Sequence, residues 1–197
     1  MNFDSISQEP LLEVKYFLEQ ARDKDLRDWN GMTVSTVDDE QRPTSRVVLL
    51  KKFTDEGFFF YTNYESKKGK DISKNINVAL NFWWRELQVQ IRINGSISKA
   101  SRSESEEYFN SRPKGSRISA IVSEQSKEIE SFESFQKKVQ DAIETLKDED
   151  IKLPDHCGMY KIIPQQIEIW KEGEFRRHER TFFKLEEKKW INSYLSP

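Results

Sequence analysis

Two short stretches place cations where burial makes them expensive. Arg46 to Lys51 reads R-V-V-L-L-K and Arg176 to Arg180 reads R-R-H-E-R, each in or beside an apolar, β-rich segment. An unpaired charge taken out of water costs several kcal/mol, so guanidinium and ammonium groups at strand positions point to a bound phosphate or carboxylate. A third run, S-K-K-G-K from Ser66 to Lys70, follows a strand-like stretch and reads as a helix start that binds phosphate. Tyr108, Arg112 and Ser116 add a fourth pattern, recurring every four residues. On an unbroken helix they would line one face as hydroxyl, guanidinium and hydroxyl, a set suited to a phosphate monoester. Pro113 breaks such a helix, so a surface loop with a solvated arginine is the competing reading. Together these groupings imply an anionic cofactor and an anionic substrate.

On a regular strand Arg46 and Lys51 face opposite sides, serving two ligands or one pocket reached around a bend. Cations snorkelling to water at a strand edge are the alternative. An extended segment puts Arg176, His178 and Arg180 on one face, where they repel unless an anion or an electron-rich ring lies against them. Trp170 either flanks that pocket or packs in the core. The same choice holds for the whole aromatic load of 13 Phe, 6 Tyr and 5 Trp.

Several classes are excluded. The formal net charge of -2 lacks the basic excess of a nucleic-acid binder. Cys157 is the only cysteine and His156 and His178 the only histidines, so neither a disulfide nor a metal site is expected. No G-x-G-x-x-G, P-loop or G-x-S-x-G occurs, and 7 glycines are few for a nucleotide cradle. No run of 18 apolar residues and no signal peptide is present, which predicts a soluble, cytoplasmic protein without membrane contact.

The elements that must position these residues follow from periodicity. Leu11, Val14, Leu18 and Ala21 predict a helix over Leu11 to Ala21, with Pro10 at its start. Strands are predicted at Met32–Val37, Ser45–Phe53 and Phe58–Thr62, then a helix capped by Ser66 to about Lys74. A hairpin follows, Asn77–Trp84 and Leu87–Ser98, with strict alternation in Q-V-Q-I-R-I-N-G. Ser103 with Glu106 predicts the cap of a short helix to Asn110, Ser111 to Ser116 a loop, and Ile129 to Leu146 a further helix. Strands at Gly158–Ile163, Gln166–Trp170, Thr181–Leu185 and Lys189–Tyr194 complete the chain. The expectation is one domain over residues 1–197, mainly β in the α+β sense, with a helical segment at 1–30 and a barrel with inserted helices at 31–197.

In order along the chain, R-V-V-L-L-K, F-Y-T-N-Y-E-S-K-K, Y-F-N-S-R-P-K-G-S, V-S-E-Q-S, I-E-I-W and R-R-H-E-R resemble the pyridoxine/pyridoxamine 5'-phosphate oxidases, from about Met32 to Pro197. The resemblance implies a split β-barrel that works as a homodimer, with FMN in the groove between subunits. It implies FMN contacts from Arg46, Val47, Val48, Leu49, Leu50, Lys51, Tyr61, Thr62, Lys67, Lys68, Gln90, Gln125, Ser126, Trp170 and Arg180. Lys51, Tyr108, Arg112 and Ser116 would clamp the substrate phosphate; Arg176, Arg177 and His178 would lie by the pyridine ring, with Arg176 and His178 nearest the reacting carbon. The implied reaction oxidises pyridoxamine or pyridoxine 5'-phosphate to pyridoxal 5'-phosphate, with O2 reduced to H2O2. Lys67 stands where the family often has arginine, Arg177 and Glu179 replace the leucine and aspartate of R-L-H-D-R, and Tyr194 replaces an arginine. Flavin oxidases of phenazine biosynthesis look similar too, with a poorer match at Lys51 and the Tyr108-Arg112-Ser116 trio. A split-barrel flavoprotein with another substrate, or a non-catalytic flavin or pyridoxal phosphate binder, are the remaining alternatives.

Overall fold

The computed structural model describes Phe3, residues 6–147 and residues 149–197. Its strands are β1 (Gly31–Val37), β2 (Pro43–Leu49), β3 (Lys52–Thr54), β4 (Gly57–Asn63), β5 (Asn77–Trp84), β6 (Val89–Lys99), β7 (Cys157–Lys171), β8 (Glu179–Glu186) and β9 (Lys189–Tyr194). Its helices are α1 (Leu11–Asp23), α2 (Lys67–Lys74), α3 (Arg102–Ser111), α4 (Lys114–Val122) and α5 (Phe132–Thr145). The strands pair antiparallel in the order β2-β1-β5-β6-β7-β4-β3, with β8 on β7 and β9 on β8.

The two ends of that path, β2 and β3, are consecutive in the chain and joined only by Leu50 and Lys51. The sheet therefore curls until its ends meet. The Leu50 N–H donates to Asn30 O at 2.8 Å and the Lys51 N–H to Phe59 O at 2.8 Å, one link to each side of the seam. The strand expected over Ser45–Phe53 is thus two strands around a bend. The reverse correction applies to Gly158–Ile163 and Gln166–Trp170, which form one long strand. Residues 157–162 of β7 pair with β4 and residues 166–171 with β8; the register against β6 shifts between Asn94 and Gly95, opposite Pro164. Proline offers no N–H to a ladder, so the bulge falls where the sequence can bear it.

Alternation fills the barrel. Val89, Ile91 and Ile93 of β6 point inward and are buried, while Gln90, Arg92 and Asn94 point out. Phe53, Phe58, Phe82, Ile167 and Ile169 join them in the main core. Helix α1 closes one end: Leu11, Val14, Leu18 and Ala21 are all buried there with Phe3 and Ile6. Each large aliphatic so buried contributes about 2 kcal/mol. Pro10 occupies the N-cap position of α1.

A second, smaller core holds α3, α4 and α5 against the barrel through Phe109, Ile118, Ile151, Leu153 and Cys157. Two corrections arise here. Two S-x-x-E signatures overlap, and the helix uses the earlier one. Ser101 Oγ accepts the Glu104 N–H at 3.2 Å and Glu104 Oε2 accepts the Ser101 N–H at 3.1 Å. Glu104 also takes the Lys52 ammonium at 2.6 Å, which Glu106 does not. Ser111 to Ser116 is not all loop, for α4 begins directly after Pro113. Proline ends one helix and starts the next.

Candidate active site

The end of β4, β2 and helices α2, α3 and α4 enclose a cleft of about 550 Å3. At one end stands Lys68. Ser66 caps α2 by accepting the Gly69 N–H at 3.4 Å, so the helix start is satisfied by its own chain and the lysine side chain reaches the cleft instead. Gly69 explains the glycine in S-K-K-G-K: a Cβ there would lie 1.9 Å from Tyr64 O, so only glycine lets the helix sit this close. Lys68 is buried, and its Nζ donates to Gln125 Oε1 (2.8 Å), Thr62 Oγ1 (3.0 Å) and Ser66 Oγ (3.2 Å), all uncharged. Burial, with a smaller push from Arg46, lowers its pKa to about 8. Arg46 lies alongside. Its Nη1 donates to Thr36 Oγ1 at 2.8 Å and its Nη2 to Thr44 Oγ1 at 2.7 Å, and burial lowers its pKa against the raising effect of Asp71.

At the other end, Arg112 closes α3 at its C-cap, with its guanidinium carbon 5.0 Å from the Tyr61 ring centre. Its Nη1 and the Tyr61 hydroxyl are buried without a hydrogen-bond partner. Burial raises the Tyr61 pKa, so the phenol stays protonated. Lys51, turned inward by the bend after β2, stands 5.4 Å from the Tyr108 ring centre. The neighbouring carboxylates are engaged elsewhere: Asp38 and Asp71 hold Lys67, and Glu104 holds Lys52. Among the described residues Lys51, Lys68 and Arg112 have no acidic partner.

The cleft gathers Arg46, Val47, Val48, Leu49 and Lys51 from the first motif, so the bend, not a regular strand, decides where Arg46 and Lys51 face. It also gathers Tyr61, Thr62, Lys68, Tyr108, Arg112 and Gln125. Leu50 instead points into the core and is fully buried. Ser116 sits in the first turn of α4 and does not line the cleft; Ser126 lines an adjoining groove under α5. Asn63, Ser119, Ala120, Ser123 and Cys157 line it without having been singled out as cleft residues. Ser119 and Ser123 lie four residues apart, and that spacing would have shown them had α4 been recognised.

The remaining expected residues form a second group outside this cleft. Gln90, Trp170 and Arg180 are direct neighbours in one row across β6, β7 and β8, and Trp83 of β5 extends it. The His178 ring centre lies 4.5 Å from that of Trp170, and its Nδ1 accepts the Gly173 N–H at 3.3 Å. Arg180 Nε donates to Glu168 Oε1 at 2.8 Å, and Arg92 takes the other oxygen; together they outweigh burial and lower the Glu168 pKa. The segment before β8 is not extended: Phe175 and Arg176 turn through φ of 54° and 63°. Alternation therefore does not place Arg176 with His178 and Arg180, and Arg176 and Arg177 are exposed.

Residues 18–145 match the family model described as pyridoxamine 5'-phosphate oxidase, and residues 158–197 match the pyridoxine 5'-phosphate oxidase C-terminal dimerisation region. A pyridoxine/pyridoxamine 5'-phosphate oxidase 2 from Hydrogenovibrio crunogenus is 40% identical over 188 residues, covering 95% of this chain and 88% of that protein. A pyridoxine/pyridoxamine 5'-phosphate oxidase from Acaryochloris marina is 38% identical over 192 residues, covering 98% and 88%. Among solved structures, PhzG from Burkholderia lata 383, in complex with tetrahydrophenazine-1-carboxylic acid, superposes with a TM-score of 0.91 at 23% identity, covering 98% and 95%. A pyridoxamine 5'-phosphate oxidase-related, FMN-binding protein from Nostoc punctiforme superposes at 0.78 and 15% identity, covering 97% and 99%. The two structures share this fold, the split barrel. With both family models matched and the sequence relatives aligned over nearly its whole length, the chain belongs to the pyridoxine/pyridoxamine 5'-phosphate oxidases, a family of oxidoreductases.

Proposed function

We propose that the protein oxidises pyridoxamine and pyridoxine 5'-phosphates to pyridoxal 5'-phosphate with bound FMN, O2 being reduced to H2O2. One observation carries this reading: a single cleft holds two separate sets of cations, Arg46 with Lys68 and Lys51 with Arg112, and among the described residues only Arg46 has a carboxylate near it, Asp71 at 4.0 Å. Two phosphorylated ligands fit two such sets. The donors fit the cofactor, since a buried ammonium facing only neutral oxygens is costly until a phosphate meets it. Val47 and Leu49, 69% and 39% exposed, offer apolar surface beside it.

FMN bound here would supply the redox chemistry, a two-electron oxidation at the 4' carbon with O2 as the final acceptor. The protein places the reactants. Arg112, with Lys51 and the Tyr108 hydroxyl, grips the substrate phosphate, and the Tyr61 ring holds the guanidinium plane in place. In the homodimer a second copy brings its row of Gln90, Trp170 and Arg180 to the open side of the cleft, completing the flavin site. That row lies outside the cleft of its own chain, and β7–β9 fall in the segment matched as a dimerisation region. His178, held against Trp170, and Arg176 then lie by the pyridine ring as positioning and tuning groups. The amine product is an imine that water hydrolyses to the aldehyde; the alcohol gives the aldehyde directly. The working compartment is the cytoplasm, in keeping with the single, unpaired Cys157.

An absorption spectrum tests this. The purified protein is expected to be yellow, to bleach when pyridoxamine 5'-phosphate is added without air, and to regain colour with H2O2 when air is admitted. A bound flavin that neither phosphate ester bleaches overturns the proposal.

A further inference from the structure

We propose that Asp71 is a positioning residue for the phosphate end of the cleft: it aims Arg46 through the hydroxyls of Thr36 and Thr44, and Lys67 serves this carboxylate rather than the phosphate. The inference rests on reading the Arg46–Lys68 end as the seat of the cofactor phosphate. Thr36 and Thr44 face each other directly across β1 and β2. Each hydroxyl gives its one hydrogen to Asp71 Oδ2, at 2.7 Å from Thr36 and 3.1 Å from Thr44. What is left on both oxygens is acceptor capacity, and Arg46 takes it: Nη1 at 2.8 Å from Thr36 and Nη2 at 2.7 Å from Thr44. A hydroxyl obliged to donate to an acid must accept from the arginine. The carboxylate thereby sets the direction of both hydroxyls, and they set the plane of the guanidinium.

The rest of Arg46 is accounted for in the same way. Nη1 also donates to Val34 O and Thr44 O, each at 3.2 Å. Nε and the second hydrogen of Nη2 have no protein acceptor among the described residues, and the side chain lines the cleft. Those donors are the ones available to a phosphate. Asp71 itself is nearly inaccessible, and Lys67 Nζ reaches its Oδ1 at 2.8 Å from one turn away on α2, with Asp38 Oδ2 at 3.3 Å behind. Lys67 does not line the cleft. A lysine with two carboxylates has little charge to spare for a third anion, which accounts for lysine being sufficient where the family often has arginine.

The two possible roles of Asp71 predict opposite signs. Its charge stands 4.0 Å from Arg46 Nη2, so toward a nearby phosphate it is repulsive. Were it a bystander, Asp71→Asn would tighten phosphate binding. As a positioning residue it must loosen it. Quenching of flavin fluorescence, titrated on apoprotein with FMN and with riboflavin, which lacks the phosphate, reads the difference. For Asp71→Asn the FMN Kd should rise about tenfold, the loss of one well-aimed charge-assisted hydrogen bond, while the riboflavin Kd stays within about twofold. Thr44→Val leaves Asp71 in place but cuts one of the two arms of the relay, and should give a smaller loss of the same FMN-selective kind. The double variant should lose little more than Asp71→Asn alone, because the Thr44 arm already runs through that carboxylate. A folded Asp71→Asn protein that binds FMN as well as wild type, or better, overturns the inference; if that variant does not fold, unchanged FMN binding by Thr44→Val overturns it. Wild-type protein that holds riboflavin as tightly as FMN refutes the phosphate seat itself, a result separable from either variant.

Discussion

The cleft wall and the outer face of β6, β7 and β8 carry the same cationic side chains in opposite circumstances. On the outer face Arg180 and Arg92 share Glu168, and at the end of β7 Lys171 lies between Glu13 of α1 and Glu179 at 3.2 and 3.1 Å. In the cleft Lys68 faces three neutral oxygens, Lys51 an aromatic ring, and Arg112 a ring and an unfilled donor position. The acids nearby go to Lys67 and Lys52. A cation with an internal counter-charge is committed to the fold and gains little from an external anion. One without it is held at a cost that a ligand can relieve. Charge type alone does not separate these two populations; pairing does.

Substituting one cation from the cleft and one acid from the outer face should break stability and binding apart. Lys68→Met should weaken FMN about 100-fold, near the upper range for a charge-assisted hydrogen bond, as read by flavin fluorescence. The melting temperature of the apoprotein should hold or rise, because methionine removes a desolvated ammonium and fills similar space. A lower melting temperature with intact FMN affinity would reverse the assignment. Glu168→Gln should do the converse, costing about 2 kcal/mol in denaturant unfolding as two arginines lose their acid. The figure stays modest because Arg92 and Arg180 are 46% and 24% exposed at the side chain and reach water. Cofactor affinity should change less than in Lys68→Met.

The same contrast explains how much of the molecule is legible in its sequence. Cations among β-branched residues drew attention to R-V-V-L-L-K, of which all but Leu50 line the cleft, since the energetic penalty is local and visible in the residue types. The bend at Leu50 and Lys51 was not visible, for nothing in V-L-L-K-K breaks a strand. It exists because the sheet must close there, and Lys51 finds its backbone partner in Phe59 on β4. Likewise Pro113 marks a helix end and a helix start equally well, and only packing of Ile118 against Phe109 shows that α4 follows. The α1 and β6 patterns were read directly because each is set by its own buried face. The row of Gln90, Trp170 and Arg180 is a matter of register between strands distant in sequence; Trp170 beside Arg180 was one of two readings of the residues, and Gln90 came into view only through resemblance to a family.

Arg112→Ala sharpens the comparison within the cleft, separating its two ends. The KM for pyridoxamine 5'-phosphate should rise about 30-fold, ~2 kcal/mol for a charge-assisted pair, with FMN affinity within about twofold of wild type. Stability should fall only by about 0.5–1 kcal/mol, the contact with the Tyr61 ring, since among the described residues no side-chain acceptor is left unpaired. Equal losses for both ligands would mean one anion site, not two.

The pH dependence is the most specific effect, because one titration should move two properties in opposite directions. Lys68 in the free protein loses its proton at about 8, against 10.5 ordinarily, so the unfolded chain binds more protons between those values. Stability changes with pH in proportion to that excess, so Lys68 makes the apoprotein more stable as pH rises from about 8 toward 10.5. The phosphate of FMN is already dianionic above about pH 7 and does not change across this window. It binds the protonated lysine, so its Kd should be level below about pH 8 and climb by at most tenfold per unit above it, until the bound lysine itself titrates. In Lys68→Met the climb should vanish along with the added apoprotein stability. A wild-type Kd that stays level to pH 9.5 would place the ammonium away from the phosphate, and the unpaired cation would then need another reason to be buried.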